Sequence, residues 1–309
     1  MQPNDRLPNE PAWVPQRTED GSFTFFSEAF GEAFHSRLGA RAEAFEKFAQ
    51  VTRLAALARQ FVESDSPPIR LLDVCYGLGY NTAAALETLW AENPTCRVEA
   101  IALELDPTVP QAAIAPDLLA AWSPPVQNVL RAIAQKSEFQ DSQLSARLLI
   151  GDARQTIRQV VAQHFQADAI FFDPFSPRRC PQLWTVEFFA QVATCLSPTG
   201  VLATYSRSAS VRAAMQAAGL HLGNIPLPAG AARRPHEWSQ GTVAAWSPDG
   251  LLPLSPMEQE HLHTRAAVPY RDPSLSDSAA TILERHQQEQ QQAPLESTTS
   301  WRRRWGINL

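Results

Sequence analysis

The sequence predicts an α/β fold built on a mostly parallel sheet with helices on both faces. Three observations predict it. Apolar strand-like runs alternate with amphipathic helical segments from about residue 67 to 248. The first strand runs into a glycine turn, "LLDVCYGLGYNT", directly before a helical segment. Acidic residues then recur where strands end, at Asp73, Glu104, Asp152 and Asp173.

Taken in order, residues 1–20 are proline-rich and polar and are expected to lack fixed structure until Phe23. "FTFFSEAF" and "GARAEAFEKFAQVTRLAALARQF" form a leader over 21–66, with apolar residues at helical spacing that must pack on the core domain. "SDSPP" breaks the chain. The core domain, 67–248, then reads "IRLLDVCY" as strand, "NTAAALETLWA" as helix and "CRVEAIALEL" as strand, followed by a proline-containing helical insertion to about residue 140. "ARLLIG", "RQTIRQVVAQHF", "ADAIFF", "TVEFFAQVATCL" and "GVLATYS" continue the alternation. A short helix, "SVRAAMQAAG", and strands near "HLGNIP" and "GTVAAW" close it. Parallel strands joined through helices require right-handed crossovers, which bury both sheet faces. From 249 to 309 the composition shifts to Pro, Ser, Gln and charge, which predicts a partly disordered extension with at most one helix.

Composition bounds the function. A chain of 309 residues with 44% hydrophobic residues is long enough for one sizeable core. No run of about 20 apolar residues occurs, as a membrane helix needs, and the amino-terminal stretch has no signal-peptide pattern, so the expected setting is cytoplasmic. Cys75, Cys96, Cys180 and Cys195 form no CxxC pair, and no histidines flank them at zinc-ligand spacing; reduced thiols and no metal are expected. The net charge of −6 argues against indiscriminate nucleic-acid binding, although a local basic patch can still hold a phosphate backbone.

Gly77 and Gly79 either make a tight strand-to-helix turn or let the backbone approach a ligand at a helix N-terminus. The acids have two readings as well. Asp152 precedes "ARQTIRQVV" as a helix cap would, but in an open parallel sheet the ligand crevice lies at the carboxyl ends of the strands. An acid ending the second strand can take ribose hydroxyls, and one ending the third can accept from an adenine amino group. Three such acids in succession after a glycine turn favour the second reading.

With Thr82 at the third glycine position of a dinucleotide fingerprint and an Asp-Pro turn after the fourth strand, the arrangement is more similar to S-adenosylmethionine-dependent methyltransferases than to NAD dehydrogenases. "DPFSPRRCPQLWTVEFF", "LLDVCYGLGYN", "GDAR" and "TGVLATYSRSASVRAAMQAAGL" together resemble the methyltransferase domain of the MnmC family, the tRNA 5-methylaminomethyl-2-thiouridine methyltransferases. The leader and "VPYRDPSLSDS" resemble its stand-alone members, without the fused flavin oxidoreductase, and the likeness covers most of residues 18–280. Two positions depart from it: Pro174 where the family usually has Gly, and Cys180 where it has Asn.

The resemblance implies a Rossmann-like S-adenosylmethionine-dependent methyltransferase fold. Asp173 matches the catalytic aspartate, and Phe175 and Pro177 the pocket walls. The implied cofactor residues are Asp73, Gly77, Gly79, Asn81, Glu104, Asp152 and Ala153. The chemistry agrees: an alkyl amine must lose a proton before it attacks a sulfonium methyl, so a carboxylate beside it is useful. The structural alternatives are that Asp173-Pro174 only starts a turn and that Phe175 plugs the core instead of stacking on a flipped base. Arg178 and Arg179 sit beside the expected pocket mouth; with Arg207, Arg212, Arg233 and Arg234 they are candidates for phosphates of the tRNA anticodon region, or else a solvated face. "WRRRW" at 301–305 is either a mobile RNA-binding arm or a disordered terminus.

The expected function is N-methylation of the 5-aminomethyl group of wobble uridine in tRNA. A separate oxidoreductase or upstream tRNA-modifying enzymes are possible partners. The alternatives are a small-amine methyltransferase or aminopropyltransferase, or a catalytically silent RNA-binding module.

Overall fold

The computed structural model describes residues 13–63, 66–227 and 239–307. Two short ribbons open the chain: β1 (Gln16–Arg17) pairs with β2 (Phe23–Thr24), and β3 (Phe26–Ser27) with β4 (Glu32–Ala33). Helices α1 (Ala40–Ala44) and α2 (Leu54–Gln60) follow, separated by a π-helical turn at Phe45–Ala49. The core then runs β5 (Ile69–Val74), α3 (Tyr80–Glu92), β6 (Val98–Glu104), α4 (Thr108–Ala113), α5 (Pro116–Leu119), α6 (Pro124–Lys136), β7 (Glu138–Gln140), β8 (Leu144–Ile150), α7 (Ala153–Ala162) and β9 (Ala167–Phe172). It continues with α8 (Val186–Thr194), β10 (Leu196–Thr204), α9 (Ala209–Ala217), β11 (His221–Ile225) and β12 (Gly241–Ala245). Helices α10 (Pro256–His261), α11 (Ala279–Gln292) and α12 (Thr298–Arg304) complete it.

The main sheet has the order β11-β12-β10-β9-β5-β6-β8-β7. Its middle five strands are parallel, and the pairings of β12, β11 and β7 are antiparallel. Alternation along each strand splits the core. Leu71, Ala100, Ala169 and Phe171 face α3, α6 and the leader; Leu72, Ile101, Ile170 and Phe172 face α7, α8, α9 and α11. Every expected strand and helix of the core is present. The edge strand β7 was not anticipated, because the insertion read as helical to about residue 140. Within the insertion, Pro116 and Pro124 each open a helix, where the missing N–H costs nothing.

Three expectations are corrected. Within the stretch expected to lack structure to residue 20, residues 13–20 are fixed: Trp13 stacks on Phe25 at 5.8 Å and its Nε1 donates to Thr108 Oγ1. The leader helix is broken at Arg53 (φ +62°), whose guanidinium donates to the carbonyls of Asp249 and Gly250. The extension after Pro248 carries three helices instead of at most one. A few large side chains suffice to dock it: Ile282 is buried against the α8 face, and Trp301 is buried in a stack on His261 at 4.1 Å. Thus "WRRRW" lies largely on a packed helix and not on a disordered arm.

Candidate active site

The strands β9, β5, β6 and β8 are adjacent and parallel, so the acids at their ends share one rim. The chain runs outward from β5 through β6 to β8 and then crosses back to β9, so the reversal of strand order lies between β5 and β9. A crevice opens at such a reversal. The turn after β5 is set by backbone conformation: Cys75, Gly77 and Gly79 have φ of +72°, +55° and +80°. A Cβ on Gly79 would stand 2.6 Å from the Tyr76 hydroxyl at a positive φ, so any side chain here is strained.

Glu104 braces the turn from the next strand. Its two carboxylate oxygens accept from the backbone N–H of Gly77 at 2.8 Å and of Asp106 at 2.9 Å. Burial raises its pKa against those hydrogen bonds. Asp73 points inward beneath the turn and accepts from Thr82 Oγ1 at 2.7 Å, while its Oδ1 is buried without a protein partner. Burial pushes its carboxyl up to about 7.

On the other side of the reversal, Asn81 Nδ2 from α3 donates to Asp173 Oδ2 at 2.9 Å. Burial, joined by the charge of Glu43, pushes the Asp173 carboxyl up to about 8. The loop that carries it is pinned three times: Tyr205 Oη donates to the Pro174 carbonyl, Trp184 Nε1 to the Phe175 carbonyl, and the Ser176 N–H to Glu32. The Phe175 ring stacks on Phe30 at 4.6 Å and meets Phe34 edge-on at 4.9 Å.

Two cavities meet at Asp173. One is lined by Trp13, Phe30, Phe34, Cys75, Gly77, Glu104, Leu105, Asp106, Asp173, Phe175 and Cys180 among others. The second lies on the leader side and is lined by Glu32, His35, Ser36, Glu43, Lys47, Asp173, Pro174, Phe175 and Tyr205 with Ala33 and Phe34. Only Phe34, Asp173 and Phe175 belong to both linings, so these side chains form the wall between the cavities.

Of the anticipated cofactor residues, Gly77 and Glu104 line the first cavity, and Asp73, Gly79 and Asn81 lie beside it at the end of β5, in the turn and on helix α3. Asp152 and Ala153 are absent from that lining. Asp152 caps α7 and forms an ion pair with Arg154, whose Nη1 also reaches the buried Asp272 at 2.8 Å. The Arg154 hydrogen bonds and charge, against the effect of burial, hold the Asp152 carboxyl below its usual range. Arg178 and Arg179 are exposed, with the Arg179 guanidinium over Gly31, and Pro177 is half-buried. Arg212 leaves the group of phosphate candidates, because it is 1% exposed and paired with Glu258 at 2.9 Å. Arg207 donates to the Ser239 carbonyl, and Arg233 and Arg234 lie outside the described residues. Sequence reasoning missed Glu32, Glu43, Lys47 and Tyr205. The first three sit in the leader, where they read as ordinary charged positions of a short ribbon and a helix.

The first cavity fits S-adenosylmethionine. It offers an acid already oriented by two backbone N–H groups, an open glycine backbone, and apolar walls from Leu105, Val109, Phe30 and Phe34 for an aromatic base. Among the described residues no cluster of His, Cys, Asp or Glu is placed to hold a metal ion, and no helix is long and apolar enough to cross a membrane.

Known proteins share this sequence pattern and fold. Residues 116–235 match the family model described as S-adenosyl-L-methionine-dependent methyltransferase. The crystal structure of MnmC2 from Aquifex aeolicus superposes with a TM-score of 0.75 and 32% identity, covering 93% of this chain and 87% of that one. The bifunctional tRNA 5-methylaminomethyl-2-thiouridine biosynthesis protein MnmC of Pseudomonas fluorescens is 27% identical over 242 residues, 75% of this chain. The chain spans 33% of that relative's length. An uncharacterized protein of Methanocaldococcus jannaschii is 26% identical over 279 residues, 86% of this chain and 69% of that protein.

The matched family model and the Aquifex aeolicus structure show an S-adenosylmethionine-dependent methyltransferase. Within that class, the chain belongs to the MnmC methyltransferase family.

Proposed function

We propose that this enzyme methylates the exocyclic amine of 5-aminomethyluridine at the wobble position of tRNA. The observation that carries the reading is the position of Asp173 between a cavity suited to the cofactor and a second cavity whose lining includes three carboxylates, Glu32, Glu43 and Asp173. An acidic pocket attracts an alkylammonium, the form that such an amine takes at neutral pH. The P. fluorescens relative is named for biosynthesis of a methylaminomethyl uridine, which is the product of this reaction.

When bound, S-adenosylmethionine supplies a methyl group on a positively charged sulfur, held by Gly77 and Glu104 with Asp73, Gly79 and Asn81 behind them. Asp173 accepts a hydrogen bond from the ammonium and takes its proton, which frees the nitrogen lone pair. Asn81 keeps the accepting carboxylate in one orientation, so the amine meets the methyl group along a defined line. A cation in the pocket favours the ionised form of Asp173, which raises the fraction of enzyme able to take that proton. Phe175, fixed by Phe30 and Phe34, closes the wall against water.

Residues 67–248 act as the catalytic domain in this reading, residues 21–66 complete both cavities, and 249–309 brace the far face. Arg178 and Arg179, both exposed, would meet phosphates of the anticodon region. The reaction belongs to the cytoplasm, where a separate oxidoreductase or an upstream tRNA-modifying enzyme delivers the free aminomethyl group.

The test is nucleoside mass spectrometry of tRNA bearing 5-aminomethyluridine after incubation with enzyme and S-adenosylmethionine. A gain of one methyl group on that nucleoside supports the reading. Methylation of free polyamines with untouched tRNA would instead favour a small-amine methyltransferase.

A further inference from the structure

The cavity beyond Asp173 is built largely by the leader, which contributes Glu32, His35, Ser36, Glu43 and Lys47. Its charges are arranged in a definite way. The Glu43 carboxylate pairs with the Lys47 ammonium one helical turn away and accepts the Ser36 N–H at 3.1 Å. Both side chains of the pair are mostly buried. Glu32 is held by the Ser176 N–H at 2.9 Å, which ties this carboxylate to the loop that carries Asp173. Burial holds the His35 imidazole down at about 4, so it adds no charge at neutral pH. Burial, with the nearby carboxylates Asp173, Glu32 and Glu43, keeps the Tyr205 phenol protonated.

With Lys47 neutralised by Glu43, the cavity retains the negative charges of Glu32 and, when ionised, Asp173. One monovalent cation entering it finds a net negative lining that is already organised. We propose that the Glu43–Lys47 ion pair, set in the same cavity lining as Asp173, tunes that carboxyl as the acceptor of the substrate's proton and, with Glu32, makes the pocket selective for an ammonium acceptor over a neutral one. The proposal rests on the reading of this cavity as the acceptor site. Glu43 and Lys47 are positioning residues in it, since they act on the amine through Asp173. A like charge beside a carboxylate raises its proton affinity and an opposite charge lowers it. The titratable groups that face Asp173 are Glu43 and Lys47 from the leader, Asp73 and Cys75 at the end of β5, and Tyr205 after β10, with Glu32 and His35 of the leader in the same cavity lining.

The experiment compares the full-length enzyme with Glu43→Gln, Glu43→Asp and Lys47→Met, using tRNA that carries 5-aminomethyluridine and recording kcat/KM against pH. Cofactor binding is followed separately by calorimetry. Glu43→Gln should move the acidic limb of the profile down by about one pH unit and raise KM for the tRNA about tenfold. Lys47→Met should move the same limb up, and Glu43→Asp should restore most of the wild-type profile. Loss of a merely structural contact would not shift the limb in opposite directions for the two partners. Unchanged limbs in both variants, with wild-type enzyme active on the tRNA, would overturn the proposal. If wild-type enzyme leaves the aminomethyl nucleoside unmethylated, the reading of the acceptor site fails instead. Should Glu43→Gln fold poorly, seen as lost cofactor binding, the upward shift in Lys47→Met still decides.

Discussion

At the residue scale, Asp173 carries the most consequence. Replacing it with Asn keeps the partner of Asn81 but removes the group that takes the amine proton. Turnover should fall by about 10²–10⁴-fold while calorimetry records nearly unchanged cofactor affinity. The same substitution reports on stability. The folded-state carboxyls of Asp73 and Asp173 lie at about 7 and about 8, above the ordinary 3.8. The folded protein therefore keeps protons that the unfolded chain has released, and stability from these groups is lost as pH rises toward 7 and 8. His35 and His261, held down at about 4, work in the other sense, but the unfolded imidazoles are already half deprotonated at the ordinary 6.5 and their effect fades over about the next pH unit. Between pH 6.5 and 8 the two acids outweigh the two histidines and set the sign of the slope. The melting temperature of the free enzyme should fall across that window, and Asp173→Asn should flatten the fall and raise the value at pH 8. A melting temperature that rises from pH 6.5 to 8 would contradict the assignment. Asp173 was legible in "IFFDPFSP" because an apolar strand ending in an acid and a proline names its own edge. Glu43 was not, because an acid on a short amphipathic helix has no local mark that separates a pocket from solvent.

At the element scale, the turn after β5 depends on backbone shape. Gly79→Ala must adopt φ near +80° and drive a methyl group against Tyr76 Oη. A loss of about 1–3 kcal/mol, read from denaturant midpoints, is expected together with weakened cofactor binding. The rim acid Asp152 belongs to a different element relationship. "GDAR" offers both a cap and a ligand, and the structure engages the carboxylate with Arg154, which is itself fixed by Asp272 from the extension. That partner lies 118 residues farther along the chain, so no window around Asp152 reveals it. Asp272→Ala leaves the Arg154 guanidinium short of a buried partner. Breaking such a pair costs about 3–5 kcal/mol, readable as a lowered denaturant midpoint.

At the scale of the whole molecule, the two terminal segments cover opposite faces of the sheet. The leader helices pack on the α3 side, and the extension packs Tyr270, Leu275 and Ile282 on the α8 side. Removing residues 268–309 would uncover that apolar surface and the Arg154 site together. The truncated protein should aggregate or lose its cooperative thermal transition, as followed by light scattering and circular dichroism. A truncated enzyme with an unchanged transition would show that the extension adds little to the fold. The extension was misjudged from composition because its polar residues outnumber the few side chains that anchor it.

The sequence by itself determined the strand and helix order of the core apart from the edge strand β7, the position of the glycine turn and the rim on which the acids would gather. These follow from local periodicity and from the one-sided geometry of parallel strands, both of which a short window carries. Only the tertiary structure decided that Asp173 divides two cavities, that Asp152 is held by an arginine clamped from the extension, and that leader carboxylates line the second cavity. Those facts depend on side chains far apart in the chain meeting in space, where burial and neighbouring charge change what each group does.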